Sequence, residues 1–316
     1  MTDNFFKPLG SFVETTHGRT HYVIEGEGPV IVFAHGIMGT LVPFQIVARS
    51  LVAKGFRVLS FDLYDRGYSE TSDDKYPLNW LGAHTLKLTI EVHVQQVVDL
   101  LNALKIAEPV TMTGHSLGGG IALAFAASHP GRVKGLVMID SICLEAHKPF
   151  AAYLALTPVV GDLVVSLYGP TAARQFALQN TTDPDTARPE FEFMCHKIKT
   201  NPKFLASVAS NNKYCRGVLG NLIPEFEAVC TAGLPVLLVW GHQDTVTPYA
   251  FCLKLQEIAR DLGHADKVKE VSFPDAPHNI YFADAKPQEV AHAIAEFAAA
   301  AAAGRKSGGG GGGGGN

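Results

Sequence analysis

The chain has 316 residues, 47% of them hydrophobic, which is enough apolar material for one large α/β domain or two smaller ones. A formal net charge of −4 without a long run of Lys or Arg argues against nucleic acid or an anionic membrane surface as a partner. The five cysteines form no C-x-x-C pair, which argues against a zinc site and a secreted disulfide framework. Since no apolar run reaches signal-peptide or membrane-spanning length, we expect a cytoplasmic protein without integral membrane contact.

The first 140 residues predict strands and helices in alternation. A hairpin is expected over residues 11–25, buried strands at 29–34, 57–61, 110–113 and 133–139, and helices at 44–54, 91–104 and 121–127. Such alternation implies parallel pairing in a doubly wound sheet. In these sheets the functional groups lie beyond the carboxyl ends of the strands. Residues that directly follow a predicted strand are therefore the candidates for chemistry.

The alternation breaks between residues 141 and 229, where few β-type runs occur. Short helices are expected there at 150–156, 159–167, 191–199 and 202–211. We interpret this segment as an inserted helical cap, because its aromatic and aliphatic content argues against a long disordered loop. The α/β pattern then resumes with strands at 235–240 and 268–273 and helices at 249–262 and 287–303. The predicted organisation is a sheet domain in two parts, 1–140 and 230–303, a cap, 141–229, and a disordered Gly-rich tail, 304–316.

One stretch of the sequence, PVTMTGHSLGGG at residues 109–120, joins an apolar strand to an Ala-rich helix through a G-x-S-x-G pattern. In this setting the pattern predicts a nucleophile elbow with Ser116 in a strained backbone conformation. Gly114 and Gly118 lack a Cβ, so the strand and the helix can approach closely. The free N–H groups at the start of the helix then face any negative charge near Ser116. Taken alone, the pattern also fits an ordinary Gly-rich turn.

An activated serine needs a base to accept its proton and an acid to orient that base. His278 follows the strand at 268–273 and is the predicted general base. Asp244 follows the strand at 235–240 and is the predicted carboxylate partner. Asp140 also ends a strand and is the alternative acid.

Acyl transfer further requires an oxyanion hole made of preorganised donors. One predicted donor is the N–H of Leu117, the residue after the nucleophile. The other is expected from the turn after the strand at 29–34, with the Ile37 N–H preferred and Met38 as the alternative. This chemistry requires no metal and no organic cofactor, so we expect neither.

With these motifs in view, the chain resembles the α/β-hydrolase fold family from about residue 11 to residue 303, apart from the cap. The resemblance is carried by His35-Gly36, GHSLGG at 114–119, GHQD at 241–244, Pro277-His278 and the segment 62–69. That segment is similar to the family's D-x-x-G-x-G-x-S turn, with Asp65 in place of the first glycine. We interpret Asp62 and Arg66 as residues that lock this turn. The resemblance implies an eight-stranded, mostly parallel sheet with helices on both faces and a helical cap over the site, and the chain order Ser, Asp, His is also the family's.

The resemblance further implies a serine hydrolase that cleaves a carboxylic ester through an acyl-enzyme, similar to carboxylesterases and monoacylglycerol lipases. The apolar cap residues indicate a small substrate with an apolar acyl group, although the cap's own core explains most of them. One alternative is the same triad acting on a carbon–carbon, thioester or amide bond. Carbon–carbon hydrolases of this family usually carry a tryptophan after the catalytic histidine, where this chain has Asn279. A second alternative is a non-catalytic small-molecule binding or receptor protein of the same fold.

Overall fold

A computed structural model describes residues 8–80, 82–145, 171, 181, 184–216, 218, 220–282 and 286–308. The strands are β1 (Ser11–Thr15), β2 (Gly18–Glu25), β3 (Val30–Ala34), β4 (Arg57–Phe61), β5 (Glu70–Thr71), β6 (Val110–His115), β7 (Val133–Ile139), β8 (Val236–Gly241) and β9 (Val268–Phe273). The helices are α1 (Phe44–Ala53), α2 (Ile90–Ala103), α3 (Leu117–Ser128), α4 (Pro184–Thr200), α5 (Lys203–Tyr214), α6 (Ile223–Thr231), α7 (Ala250–Asp261) and α8 (Lys286–Gly308).

The described strands form one sheet in the order β1-β2-β4-β3-β6-β7-β8-β9, and the two-residue strand β5 pairs with β2 beside this path. The pairs from β4 to β9 are parallel, whereas β1 and β2 are antiparallel additions at one edge. Every residue of β3, β6, β7 and β8 is buried, as expected of central strands that are covered on both faces. The predicted eight-stranded, mostly parallel sheet is confirmed, with β5 as a short ninth strand.

Helices cover both faces of the sheet and form two apolar cores. On one face α2, α3, α6 and α7 pack against alternate strand residues. On the other face α1 and α8 do the same. The two cores hold the central strands rigidly, so the loops at the carboxyl ends of β3, β6, β7, β8 and β9 meet at one edge of the sheet.

The turn after β4 explains why this chain carries an aspartate where the family usually has a glycine. Asp65 has a φ of +59°, in the left-handed region that glycine enters freely and that Asp tolerates better than most residues. Its carboxylate accepts hydrogen bonds from the Thr71 N–H at 2.9 Å and from His84 Nε2 at 2.7 Å. The carboxylate of Asp62 accepts from the N–H groups of Leu41 and Tyr68 at 2.8 and 3.0 Å. Both aspartates therefore stabilise the turn.

The predicted cap segment contributes helices α4 and α5, close to the expected helices at 191–199 and 202–211. The expected helices at 150–156 and 159–167 lie outside the described residues, and the division into sheet domain and cap stays a prediction. Helix α6 begins inside the range assigned to the cap, yet its Phe226 and Val229 belong to the core around α3. Part of the range assigned to the cap therefore packs with the sheet domain, and the predicted boundary at residue 230 stays a prediction.

The final helix differs from the expectation of an end at residue 303, because α8 continues to Gly308. A glycine inside a helix costs only about 1 kcal/mol relative to alanine, so Gly304 alone does not end a helix that follows a long alanine run. The start of the predicted disordered tail is thus wrong for residues 304–308, and residues 309–316 lie outside the described part of the chain.

None of the described helices combines the length and apolarity that a bilayer crossing requires.

We predict that Gly118→Ala strongly destabilises the protein. A Cβ at position 118 would lie 2.0 Å from the carbonyl oxygen of Ala34, a backbone atom of β3 that cannot move away cheaply. We expect a loss of about 3 kcal/mol in the free energy of unfolding, measured by urea denaturation. The matched control is Gly131→Ala, where a Cβ meets no atom within 4 Å and the change should stay within about 0.5 kcal/mol. Equal stability of the two variants would contradict the close approach of α3 to β3.

Candidate active site

The predicted nucleophile lies at a strained turn between β6 and α3. Ser116 has φ +52° and ψ −118°, a conformation that non-glycine residues rarely adopt, and its backbone N–H is held by the Ile139 carbonyl at 3.0 Å. A Cβ on Gly114 would lie 2.0 Å from the Gly118 carbonyl oxygen, so the two arms of the turn meet at glycine as expected. Backbone strain of this kind is typical of functional sites, where surrounding contacts compensate for it.

The predicted base and acid are hydrogen-bonded to each other. His278 Nδ1 lies 2.7 Å from Asp244 Oδ2, and both side chains are buried. The other carboxylate oxygen of Asp244 accepts from the N–H groups of Val246 and Thr247 at 2.7 and 2.9 Å. The His278 ring lies against His115, the residue before Ser116, with 4.7 Å between ring centroids. His278 is therefore oriented by Asp244 and lies beside the elbow.

The alternative acid has a different environment. Asp140 Oδ1 accepts from the Gly241 N–H at 2.8 Å, while Oδ2 is buried without a hydrogen-bond partner among the described residues. Burial, and next the negative charge of Asp244, raise the pKa of Asp140 well above its ordinary value. Burial alone would raise the pKa of Asp244. The charge interaction with His278, together with hydrogen bonds from His278 and Thr247, outweighs burial and holds the pKa of Asp244 below its ordinary value. The geometry and the charges thus favour Asp244 as the anionic partner of His278.

The turn that should supply the second oxyanion donor lies directly against the elbow. A Cβ on Gly36 would be 3.3 Å from the Cβ of Ser116. The turn is closed by the Gly39 N–H, which donates to the Gly36 carbonyl at 3.1 Å. No backbone hydrogen bond from the Ile37 N–H is found among the described residues, and Leu117 is the first residue of α3, where an α-helix offers no carbonyl to the N–H. Their role as oxyanion donors stays a prediction.

The His35 side chain fixes this turn through hydrogen bonds from both of its ring nitrogens. Its Nε2 accepts from the Leu63 N–H at 2.9 Å, which leaves the proton on Nδ1 to be donated to the Gly36 carbonyl at 2.7 Å. Burial lowers the pKa of His35 to about 4, so the ring is neutral at physiological pH. The His-Gly pair of the sequence therefore anchors the backbone of the oxyanion turn.

Sequence reasoning missed two residues that support the candidate triad. The hydroxyl of Thr247 lies 2.7 Å from Asp244 Oδ2, and the Thr247 carbonyl accepts from the Trp240 indole at 2.8 Å. An Asp followed three residues later by Thr is a local turn signal that could have indicated this contact. Tyr281 lies 2.9 Å from His115 Nδ1, and His115 Nε2 is 2.9 Å from the His278 carbonyl. No sequence pattern indicates that second chain of contacts.

Two histidines of this site and Asp140 lie close enough together to resemble a metal site. His115, Asp140 and His278 can each bring one ligand atom to within 4.8 Å of the others. Both nitrogens of His115 already hydrogen-bond to protein groups, and His278 Nδ1 is occupied by Asp244. We therefore assign no metal to this cluster.

Apolar side chains from the cap segment close over the predicted oxyanion turn. A small core centred on Met194, Phe204 and Val208 packs against Ile37 and Met38. These three residues belong to α4 and α5, so the two helices bring apolar surface to the edge of the sheet where Ser116 lies.

A buried carboxyl on α4 contacts Thr40, the residue directly after the predicted oxyanion turn. The two carboxyl oxygens of Glu190 lie 2.9 and 3.0 Å from the hydroxyl of Thr40. Burial raises the pKa of Glu190 from 4.5 to about 8, which the Thr40 contact only partly offsets. Glu190 is therefore mostly neutral at pH 7, and no sequence pattern indicates it.

This pKa predicts a pH dependence of stability. Between about pH 4.5 and pH 8 the native protein keeps a proton on Glu190 that the unfolded chain has released. The native state binds more protons, so the free energy of unfolding falls as pH rises through this window, by up to about 1.4 kcal/mol per pH unit. Glu190→Gln should make this slope shallower in urea denaturation by the contribution of Glu190, whereas Glu192→Gln, at an exposed position of the same helix, should leave the slope as in wild type. A slope unchanged by Glu190→Gln would contradict the buried neutral carboxyl.

Comparison with known proteins agrees with this fold. Residues 29–285 match the family described as alpha/beta hydrolase fold, and the chain belongs to that family. It is 29% identical over 250 residues to a 2-hydroxymuconate semialdehyde hydrolase of a Pseudomonas species, covering 77% of this chain and 80% of that protein. A cis-3-alkyl-4-alkyloxetan-2-one decarboxylase of Shewanella oneidensis is 22% identical over 310 residues, or 92% of this chain and 89% of that one.

A solved structure extends the similarity to the fold as a whole. A thermophilic esterase from Thermogutta terrifontis superposes with a TM-score of 0.71 at 19% identity, covering 92% of this chain and 99% of that chain. The predicted fold family is confirmed by these findings, and membership of it supports a hydrolytic activity.

Proposed function

We propose that this protein is a serine hydrolase that cleaves carboxylic esters with an apolar acyl group through an acyl-enzyme. The observation that carries the proposal is the conjunction of a strained Ser116 at φ +52° with a His278–Asp244 hydrogen bond of 2.7 Å at the same edge of the sheet. An activated serine nucleophile needs these two features together. The apolar contacts of Ile37 and Met38 with the cap helices support an apolar acyl group.

In the proposed reaction, Ser116 Oγ attacks the ester carbonyl carbon while His278 accepts the hydroxyl proton. The carbonyl oxygen becomes an oxyanion bound by the N–H groups of Ile37 and Leu117. When the tetrahedral intermediate collapses, the carbon–oxygen bond to the leaving alcohol breaks and His278 returns the proton to that alcohol. A water molecule, deprotonated by His278, then attacks the acyl carbon. The bond from that carbon to Ser116 Oγ breaks, His278 returns the proton to Ser116, and the carboxylic acid leaves. Asp244 remains ionised throughout and stabilises the imidazolium form of His278.

A second candidate is cleavage of a carbon–carbon bond by the same residues. It is favoured by the similarity to the 2-hydroxymuconate semialdehyde hydrolase, which covers 77% of this chain. Asn279, in place of the tryptophan that usually follows the histidine in such enzymes, argues against it. The two candidates share nucleophile and base, so only the substrate distinguishes them.

The deciding experiment is a substrate panel assayed side by side. We expect turnover of p-nitrophenyl esters, with kcat/KM rising from acetate to hexanoate or octanoate as the acyl chain fills apolar space. A vinylogous 1,5-diketone of the meta-cleavage type serves as the carbon–carbon substrate. Turnover of the diketone without turnover of any ester would transfer the proposal to the second candidate. Turnover of neither by a protein that binds the substrates would indicate a non-catalytic member of the fold.

A further inference from the structure

Arg66 is a buried cation that hydrogen-bonds to two different parts of the protein. On the core side its Nε–H donates to the Ile37 carbonyl at 2.6 Å, and Nη1 donates to the Tyr64 carbonyl at 3.3 Å. On the α5 side Nη1 donates to the hydroxyl of Ser207, and Nη2 donates to Asn211 Oδ1 at 3.0 Å. The guanidinium thus joins the predicted oxyanion turn to the helix that lies over it.

Both contacts on α5 are themselves fixed. The side-chain amide of Asn211 donates to the Leu88 carbonyl at 2.8 Å and lies 2.9 Å from His93 Nε2, so its oxygen must face Arg66. The Ser207 hydroxyl donates to the Phe204 carbonyl at 2.7 Å, which leaves its lone pairs for the guanidinium. The Phe204 ring lies 5.3 Å from the centre of the Arg66 guanidinium. Helix α5 therefore holds Arg66 in one orientation.

The contact with Ile37 controls where backbone donors point. In a trans peptide the N–H points opposite to the carbonyl of the same unit. The Gly36 carbonyl is bound by His35 Nδ1 and by the Gly39 N–H, which fixes the N–H of Ile37. Among the described residues no backbone hydrogen bond holds the next peptide unit, and its Ile37 carbonyl is bound by the side chain of Arg66. Without that bond the unit can rotate and turn a carbonyl oxygen toward the oxyanion hole, where it would repel the developing charge.

None of these four hydrogen bonds pairs the positive charge of Arg66 with a carboxylate, because all four acceptors are neutral. Burial lowers the pKa of Arg66 to about 10, with Asp65 partly opposing the shift, so the group stays protonated at neutral pH. A positive charge next to the oxyanion turn adds to the favourable field for a negative intermediate.

We propose that Arg66 is a positioning residue that makes the oxyanion hole depend on the docking of α5. Ser207 and Asn211 orient the guanidinium, and the guanidinium in turn keeps the Ile37–Met38 peptide in the orientation that leaves the hole open. This inference rests on the proposed function, because it needs an oxyanion to form next to Ile37. Removal of α5 from its site should therefore lower the rate of acylation even where Ser116, His278 and Asp244 keep their positions.

The first test compares Arg66→Lys with wild type on the best p-nitrophenyl ester. A lysine ammonium cannot reproduce the planar fork that reaches both the Ile37 carbonyl and α5. We expect kcat to fall about 100-fold while KM changes less than about threefold. A carbonyl oxygen turned toward the oxyanion should cost about as much as the loss of one donor, which is 100- to 1000-fold. The affinity for a trifluoromethyl ketone, which forms an oxyanion adduct, should fall in parallel with kcat. A residue with a merely structural role would not produce this parallel loss at an unchanged KM.

Ser207→Ala is the second variant, because it leaves the Ile37 contact in place and removes only a contact from α5. We expect kcat to fall about tenfold at an unchanged melting temperature. In the double variant Arg66→Lys/Ser207→Ala the serine change should have no further effect, because its influence passes through Arg66. The matched control is Arg132→Lys, a half-buried arginine away from the site that binds the Ile106 carbonyl at 2.9 Å. It should leave kcat unchanged.

The proposal is overturned if folded Arg66→Lys keeps a kcat and a trifluoromethyl ketone affinity near those of wild type. It is also overturned if the two changes lower kcat additively in the double variant. If Arg66→Lys does not fold, Ser207→Ala decides: a tenfold loss supports the proposal and an unchanged kcat overturns it. Failure of the proposed function has a different signature, since wild-type protein would then not hydrolyse esters, whether or not it reacts with a fluorophosphonate. Wild type that does both, beside an equally active Arg66→Lys, rejects only the role of Arg66.

Discussion

Replacing Ser116 with alanine is expected to lower kcat for ester hydrolysis by about 10⁶-fold and leave the fold intact. The hydroxyl forms the bond to the acyl group, and removing a serine nucleophile of this type costs about that much in a comparable enzyme. The strained φ of +52° is set by the glycines around position 116 and not by the serine side chain. The melting temperature should therefore change by no more than a few degrees.

The matched control for this variant is Ser128→Ala at the other end of α3. The Ser128 hydroxyl donates to the Ala124 carbonyl within its own helix and does not contact the site. Its loss should leave kcat within about twofold of wild type. Near-native hydrolysis by Ser116→Ala, or an equal loss in both variants, would show that the esterase activity does not pass through Ser116.

Asp244→Asn is expected to lower kcat by about 10⁴-fold. An amide at this position can no longer stabilise the imidazolium of His278, and it favours the wrong tautomer of the ring that it lies 2.7 Å from. Asp140→Asn should cost less than about tenfold. The Asp140 carboxylate accepts from the Gly241 N–H at 2.8 Å and not from His278, so an amide of nearly the same shape removes no contact to the base. Both variants should be assayed on the same ester, with melting temperatures measured beside the rates.

The comparison of the two aspartates separates two models of the site. If Asp140→Asn is the more damaging change at equal stability, then Asp140 orients His278 and the assignment of Asp244 is wrong. If both variants lose about 10⁴-fold, the two carboxyls act as one coupled unit.

Much of the candidate site was predictable because its signals are local in the chain. The glycines at 114 and 118 flank the elbow, and the strand-end positions of Asp244 and His278 follow from continuous apolar runs. Parallel strands then bring their carboxyl ends to one edge without further information. Local sequence signals could not distinguish Asp140 from Asp244, because both residues follow a strand. Only the hydrogen bond of His278 in the folded structure favours Asp244.

Other features could not be predicted, because they depend on how separate elements dock. Arg66 was interpreted as a residue that locks its own turn, yet two of its contacts are to Ser207 and Asn211, about 140 positions later in the chain. Glu190 carries no motif, and only its burial against Thr40 gives it an unusual pKa. The left-handed φ of Asp65, +59°, was not predicted, although the family's glycine at that position is a local signal for such a conformation.

The measurement to make first is the mapping of the residue that a fluorophosphonate modifies in folded wild-type protein, by digestion and mass spectrometry. Only an activated nucleophile reacts with such a probe, so the result does not depend on finding the natural substrate. We predict one adduct, on the peptide that contains Ser116, and none in Ser116→Ala. An adduct on any other residue, or no adduct in folded wild type, would contradict the assignment of Ser116 as the nucleophile.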